Sequence, residues 1–247
     1  MTTLSVIIAT KNEALNIVEC IQSVSFADEI IVLDSGSVDG TQQLAKTKGA
    51  LVFDLDWPGY GKQQQRGISI SKSQWVLSLD ADERISEKLK YEIMGLIKDT
   101  HFDGFRIPRH SSFCGGFIEH SGWRPDFTLR LVRKEKGGFT DHFLHAHMTV
   151  DGKTTDLTNP IIHYSYKNID DVLDKLRRYS IGNAKDLNEK GVSSSLTKAL
   201  MHSLWAFCRT YIIRAGFLDG RRGLMIAIYN AECTYYKYLK LIELNTS

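Results

Sequence analysis

Across residues 4–97, uninterrupted apolar runs of strand length alternate with stretches of helical periodicity. A parallel sheet covered by helices on both faces accommodates that pattern, because its strands are buried on both sides. The runs are residues 4–9, 29–33, 50–53 and 75–79. Between them, Ile17, Cys20, Ile21 and Val24 recur at helical spacing, Asp39-Gly40-Thr41 opens a helix that Gly49 closes, and residues 63–71 read as a further helix. Ser86 caps a helix running to Ile97. In such sheets ligands bind beyond the carboxyl ends of the strands. Polar clusters stand at three of those ends: residues 10–13, 34–41 and 80–83. Three polar loops on one rim predict a site.

The chain has 247 residues, 24% charged and 43% hydrophobic, with a formal net charge of +2. That suits one large domain or a domain with an appendage. Near-neutral charge and the lack of a basic aromatic platform argue against a nucleic-acid partner. Cys20, Cys114, Cys208 and Cys233 are far apart and form no CxxC pair, so reduced thiols are expected rather than disulfides or a zinc knuckle. Met1-Thr2-Thr3 leads directly into the first strand without a basic n-region, and no stretch reaches the roughly 18 apolar residues of a membrane span. A cytoplasmic location is expected.

Residues 104–166 are rich in Gly, His and aromatics, with short β-like runs at 128–132 and 147–150. Val150-Asp151-Gly152-Lys153 predicts a hairpin turn. From Asn168 the tail reads as helical. Residues 196–215 are nearly all apolar except for a stripe of Lys198, His202 and Arg209, and residues 224–244 repeat Leu224, Ile228, Tyr235, Leu239 and Ile242. The tail either rests on an anionic inner leaflet, with Arg214, Arg221 and Arg222 adding charge, or packs as a buried helix.

Val76-Leu77-Ser78-Leu79-Asp80-Ala81-Asp82 carries the most chemistry. Two Asp one residue apart at a strand end can turn toward one point, and their oxygens suit hard cations such as Mg2+ or Mn2+. A cation there would neutralise a departing diphosphate; two unit charges about 4 Å apart interact by roughly 4 kcal/mol at an effective dielectric of about 20. The alternative is an acidic helix start that favours the dipole.

The chain resembles the inverting family 2 glycosyltransferases of the GT-A fold. Three motifs in order carry the likeness: Ser5-Val6-Ile7-Ile8-Ala9-Thr10-Lys11-Asn12-Glu13, Val32-Leu33-Asp34-Ser35-Gly36-Ser37-Val38-Asp39-Gly40-Thr41, and Leu77-Ser78-Leu79-Asp80-Ala81-Asp82-Glu83. A closer resemblance, to bacterial lipopolysaccharide core β-1,4-glucosyltransferases, rests on Pro58-Gly59-Tyr60-Gly61-Lys62-Gln63, Gly122-Trp123-Arg124-Pro125-Asp126 with Arg130-Leu131, and Gly216-Phe217-Leu218-Asp219-Gly220. The resemblance implies an α/β, Rossmann-like nucleotide-sugar domain with a central, mostly parallel sheet over residues 1–166. Residues 1–85 would form the nucleotide-sugar-binding half and 86–166 the acceptor half, with a C-terminal helical extension at 167–247. It implies a UDP-sugar donor, UDP-glucose first, and a lipid-linked oligosaccharide acceptor in the inner core of lipopolysaccharide. Two departures stand out. Asp34-Ser35 replaces the family's Asp-Asp, and Leu144-His145-Ala146-His147 lacks the Glu that core transferases carry there.

In this frame Asp82 is the first metal ligand and Asp80 the second, unless Asp80 meets the ribose. Thr10, Asn12, Glu13, Asp34, Asp39, Lys62 and Gln63 fall in the donor-binding motifs. For Asp34 and Asp39 the competing reading is turn chemistry, and for Glu13 a helix start. An inverting transfer needs a base beside the attacking hydroxyl. Asp141 is preferred and Asp126 is the alternative. Arg124 and Arg130 suit phosphate oxygens, or are surface charges. His142, His145, His147 and His163 stand open between a zinc site, buried structural histidines, and His145 as a further ligand to the same cation. Another surface-glycan acceptor, or a non-catalytic nucleotide-sugar binder, are the rival functions.

Overall fold

The computed structural model describes residues 2–140 and 146–246. They fall into two compact units, Met1–Arg109 with Asp126–His163, and His110–Pro125 with Tyr164–Ser247. The first unit begins β1 (Leu4–Thr10), α1 (Ile17–Ser23), β2 (Glu29–Asp34), α2 (Thr41–Thr47), β3 (Leu51–Asp54), α3 (Tyr60–Ile70) and β4 (Trp75–Asp80). These strands lie in the order β3-β2-β1-β4, all parallel, which is the α/β arrangement the apolar runs predict. There follow β5 (Glu83–Ile85), α4 (Glu87–Leu96) and β6 (Gly104–Phe113, in this unit through Arg109). Next come β7 (Gly116–Phe117, in the second unit), β8 (Phe127–Arg133), β9 (Gly137–Phe139), β10 (Met148–Val150), β11 (Thr154–Asp156) and β12 (Ile161–Tyr166). β8 is antiparallel to both β4 and β6, and Ile161–His163 of β12 is antiparallel to β5.

The apolar run of β1 is continuous because both its faces are covered. Val6 and Ile8 pack with Ile17, Ile21, Leu77 and Leu79, whereas Ile7 packs on the other face with Ile31, Leu33, Ile68 and Val76. α3 comes so close to the sheet that a Cβ on Gly67 would lie 2.8 Å from Leu33 Cδ1 and 3.1 Å from Ile7 Cβ. Ser86 caps α4, its Oγ accepting from Leu89 N at 3.3 Å.

The predicted hairpin at residues 150–153 does not form. β10 pairs with β9, and β11 instead runs parallel to β6. Asp103 redirects the chain: its backbone N donates to Lys153 O at 2.8 Å, and its Oδ2 accepts from Lys153 N at 3.2 Å. A Cβ on Gly152 would sit 2.1 Å from that same oxygen.

The second unit holds α5 (Ile169–Glu189), α6 (Leu196–Cys208), a π-helical turn (Arg209–Ile213), a 3-10 turn (Gly216–Asp219) and α7 (Gly220–Thr246). Residues 110–125, read from sequence as part of the acceptor half, belong to this unit. The Gly216–Asp219 motif explains the grouping. Asp219 Oδ1 accepts from the backbone N of Glu119 and His120, and Ser121 Oγ donates to Oδ2 at 2.7 Å. A Cβ on Gly223 would come within 1.7 Å of Gly216 O, so only glycine fits there. No helix among the described residues is long and apolar enough to cross a membrane.

Replacing Gly67 with Val forces branched carbon into the filled space between α3 and the sheet. The expected outcome is a loss of about 2 kcal/mol of stability, read as a lowered urea midpoint with unchanged slope.

Candidate active site

The register of the central strands gathers the polar loops. Thr10 stands opposite Asp34, and Ala9 opposite Asp80, so β1, β2 and β4 end on one rim. The first two loops are stitched together. Asn12 N donates to Ser37 Oγ at 2.8 Å, Val38 N to Asn12 Oδ1 at 3.0 Å, Glu13 N to Thr41 Oγ1 at 2.8 Å, and Ala14 N to Asp39 Oδ2 at 3.0 Å. Asp34, fully buried, accepts from Ser37 N, Ser37 Oγ and Gln42 Nε2. Asp39 accepts from Thr41 Oγ1 and from Thr41 N, and these bonds with Ala14 hold its carboxyl below the usual range. Both carboxylates are thus engaged within the loops. Gln63, buried, donates to Ser35 Oγ at 3.2 Å, whereas Lys62 is exposed.

Around the third strand end lies a charged network. Arg130 Nη2 donates to Asp80 Oδ2 and to Glu83 Oε1, each at 2.8 Å. Tyr60 Oη donates to Asp80 Oδ1 at 2.7 Å, and Glu83 Oε2 accepts from Asp80 N at 2.9 Å. Arg109 reaches Glu83 Oε1 at 3.9 Å and places two N–H groups on Asp126 Oδ2, at 2.9 and 2.7 Å. Burial raises the Asp80 pKa, but the charge and hydrogen bond of Arg130 and the Tyr60 hydroxyl outweigh it and bring the group down to about 2. Glu83 is raised: its burial, reinforced by Asp80, prevails over Arg130. Burial, and then the Asp80 charge, likewise push the Tyr60 phenol upward.

Asp82 stands apart from this knot. Its Oδ2 lies 3.5 Å from His163 Nε2, and His163 faces Glu83 across the β5–β12 pair. The Asp82 carboxylate suits Mg2+ or Mn2+, which complete their shells with water and substrate phosphates, and the imidazole beside it suits a transition metal such as Mn2+ better than Mg2+. No group of three or more His, Cys, Asp or Glu side chains poised for a metal occurs among the described residues. Asp80 fits direct ligation less well, since both its oxygens already accept hydrogen bonds.

Arg124, in the second unit, pairs with Glu119. Asp141, His142 and His145 lie outside the described residues. Their flanks lie against α3: a Cβ on Gly61 would meet Thr140 O at 2.2 Å and Ala146 Cβ at 3.0 Å. His147 N donates to Thr140 Oγ1 at 3.0 Å. Sequence reasoning gave no role to Tyr60, Glu83 or Arg109, although Tyr60 and Glu83 sit inside quoted motifs.

The profile described as glycosyl transferase family 2 matches residues 5–153. The chain belongs to glycosyl transferase family 2. This glycosyltransferase is 31% identical, over 99% of its length and 88% of the relative's, to an uncharacterized glycosyltransferase of Rickettsia prowazekii. It is 26% identical, over 95% of its length and 93% of the relative's, to the lipopolysaccharide core biosynthesis glycosyltransferase LpsC of Rhizobium meliloti. The crystal structure of S. aureus TarS 1-349 shares the fold, with a TM-score of 0.50 and 16% identity over 99% of this chain and 91% of that one. The glycosyltransferase thus has the GT-A architecture that its three ordered motifs imply.

Arg130→Met removes the nearest positive charge from two carboxylates at a site where Glu83 is wholly buried. The expected loss is roughly 3 kcal/mol in chemical denaturation. Arg124→Met, on an exposed pair, is expected to cost less than about 1 kcal/mol.

Proposed function

We propose that this glycosyltransferase moves a hexose, glucose first among candidates, from a UDP-sugar to an inner-core sugar of lipopolysaccharide or lipooligosaccharide, with inversion. The observation that carries the transfer chemistry is the Asp82–His163 pair, 3.5 Å apart, beside the acidic turn that follows β4. The core-biosynthesis role in the name of the Rhizobium relative supports the acceptor class.

In the reaction an acceptor hydroxyl attacks the anomeric carbon from the face opposite the diphosphate. The bond from that carbon to the diphosphate oxygen breaks and UDP leaves. Asp82 and His163 would hold a divalent cation, which supplies positive charge where the diphosphate gains negative charge. Asp80, locked by Tyr60 and Arg130, shapes the turn and is free to meet the ribose only if one of those bonds opens. The stitched loops around Asn12, Glu13, Asp34 and Asp39 form the floor for the nucleotide. The attacking hydroxyl gives its proton to a carboxylate. Asp126 already carries two N–H groups of Arg109 on one oxygen, which favours Asp141 as the base.

UDP release is the direct readout, measured with Mn2+, a panel of UDP-sugars and core-truncated lipopolysaccharides. Asp82→Ala is expected to lower kcat by at least about a thousandfold. Asp141→Asn is expected to lower kcat about as far, and Asp126→Asn much less. Turnover that survives Asp82→Ala would overturn the reading. Turnover only with non-lipopolysaccharide glycans would move the acceptor to another surface polymer, and UDP-sugar binding without any release would make the chain a binder.

A further inference from the structure

Helix α6 and the π-helical turn that continues it are built inside out. Their small residues face inward: Ala199 is fully buried, Thr210 nearly so, and Ser203 Oγ donates to Ala231 O of α7 at 2.9 Å. The large apolar side chains face outward, with Leu200, Met201, Leu204, Trp205, Ile212 and Ile213 each 54–63% exposed. A helix on a water-soluble core turns such a face inward. Small residues at the helix contact and large apolar ones outside is the pattern of helices whose solvent is lipid, and contiguous exposed apolar patches mark contact surfaces.

Cations outnumber acids beside this face. Residues 190–231 contain Lys190, Lys198, Arg209, Arg214, Arg221 and Arg222 against a single acid, Asp219. That carboxylate has a side chain only 5% exposed and accepts bonds from residues 119–121. Two copies of the chain meeting through this face would bring like charges together, whereas an anionic surface would complement them.

A cavity of about 280 Å³ opens beside the same turn, lined by Arg209, Thr210 and Arg214 together with Asn183, Asn230 and Lys237. No carboxylate lines it. Arg209, Arg214 and Lys237 make no ion pair among the described residues, and burial pushes the Lys237 ammonium below its usual range. Three cations and neutral donors around one cavity fit a phosphate.

We propose that α6 and the π-helical turn lie in the headgroup layer of an anionic phospholipid bilayer, the exposed apolar face entering the acyl boundary and the Arg209–Arg214–Lys237 cavity receiving a lipid headgroup phosphate. This surface does not depend on the sugar-transfer reading, and its test uses no turnover.

The test is flotation of the purified full chain with vesicles of phosphatidylcholine alone, or with about a third phosphatidylglycerol. Wild type is expected to bind the anionic vesicles at least about tenfold more tightly, with the difference shrinking in high salt. A Leu204→Glu/Ile212→Glu double variant, altered only at exposed positions and checked for native circular dichroism, is expected to stay unbound. Arg209→Gln/Lys237→Gln is expected to lose the preference for anionic vesicles. The proposal is overturned if the Glu variant binds like wild type, or if wild type is a dimer that the Glu variant dissolves while neither binds vesicles. Equal stabilisation of wild type by inorganic phosphate, without vesicle binding, would also overturn it.

Discussion

One guanidinium holds the acidic turn in shape. Asp80, Asp82 and Glu83 fall within four residues, and three carboxylates this close would repel one another and resist ionisation. Arg130, 9% exposed, answers two of them from a single nitrogen, at 2.8 Å each. Glu83 then folds back to accept the Asp80 N–H, which closes the turn. The consequence for function lies in what Arg130 does not touch. Asp82 is left pointing toward His163, its ion-pair partner among the described residues. Buried charge pairs of this kind contribute little net stability compared with apolar packing, yet breaking one is costly because the remaining charge is stranded. The knot therefore specifies geometry more than it adds stability.

The frame around this turn was readable because it is local. Continuous apolar runs of strand length and helices on a 3.6-period leave direct marks in sequence, and the polar clusters follow from where each run stops. The knot was not readable in the same way. Tyr60, Arg130 and His163 reach Asp80 or Asp82 from 20 to 81 residues away, brought there by the packing of α3 on the sheet, the strand order β1-β4-β8 and the β5–β12 pairing. Asp34 and Asp39 show the converse. Their sequence suits both a nucleotide loop and a turn, and the structure has both carboxylates bonded inside the loops. The hairpin predicted at residues 150–153 fails for the same reason: a distant carboxylate, Asp103, captured the local turn.

The tail inverted an ordinary inference. A nearly apolar helix with one polar stripe predicts that the stripe faces water. In the structure Lys198 and His202 of that stripe lie over the Tyr238 ring and Arg209 lines a cavity, with His202 and Arg209 still exposed, and large apolar residues of the same helix are left outside as well. Periodicity reports which residues share a face, and it is silent on which face the neighbouring helix chooses. The Gly216–Asp219 motif, quoted only as a likeness, has a plain structural use: its carboxylate satisfies three donors in residues 119–121, and Gly223 of α7 lets that helix pass in contact with the Gly216 carbonyl.

Under the proposed function, Asp82 and His163 together would hold a divalent cation that meets the donor's diphosphate. Mn2+ binding followed by electron paramagnetic resonance, with and without UDP, tests it most directly. Wild type is expected to take up about one Mn2+ far more tightly with UDP present. Asp82→Ala and His163→Ala are each expected to lose that uptake, and Asp80→Asn to retain most of it. Unchanged uptake in both Asp82→Ala and His163→Ala would contradict the account.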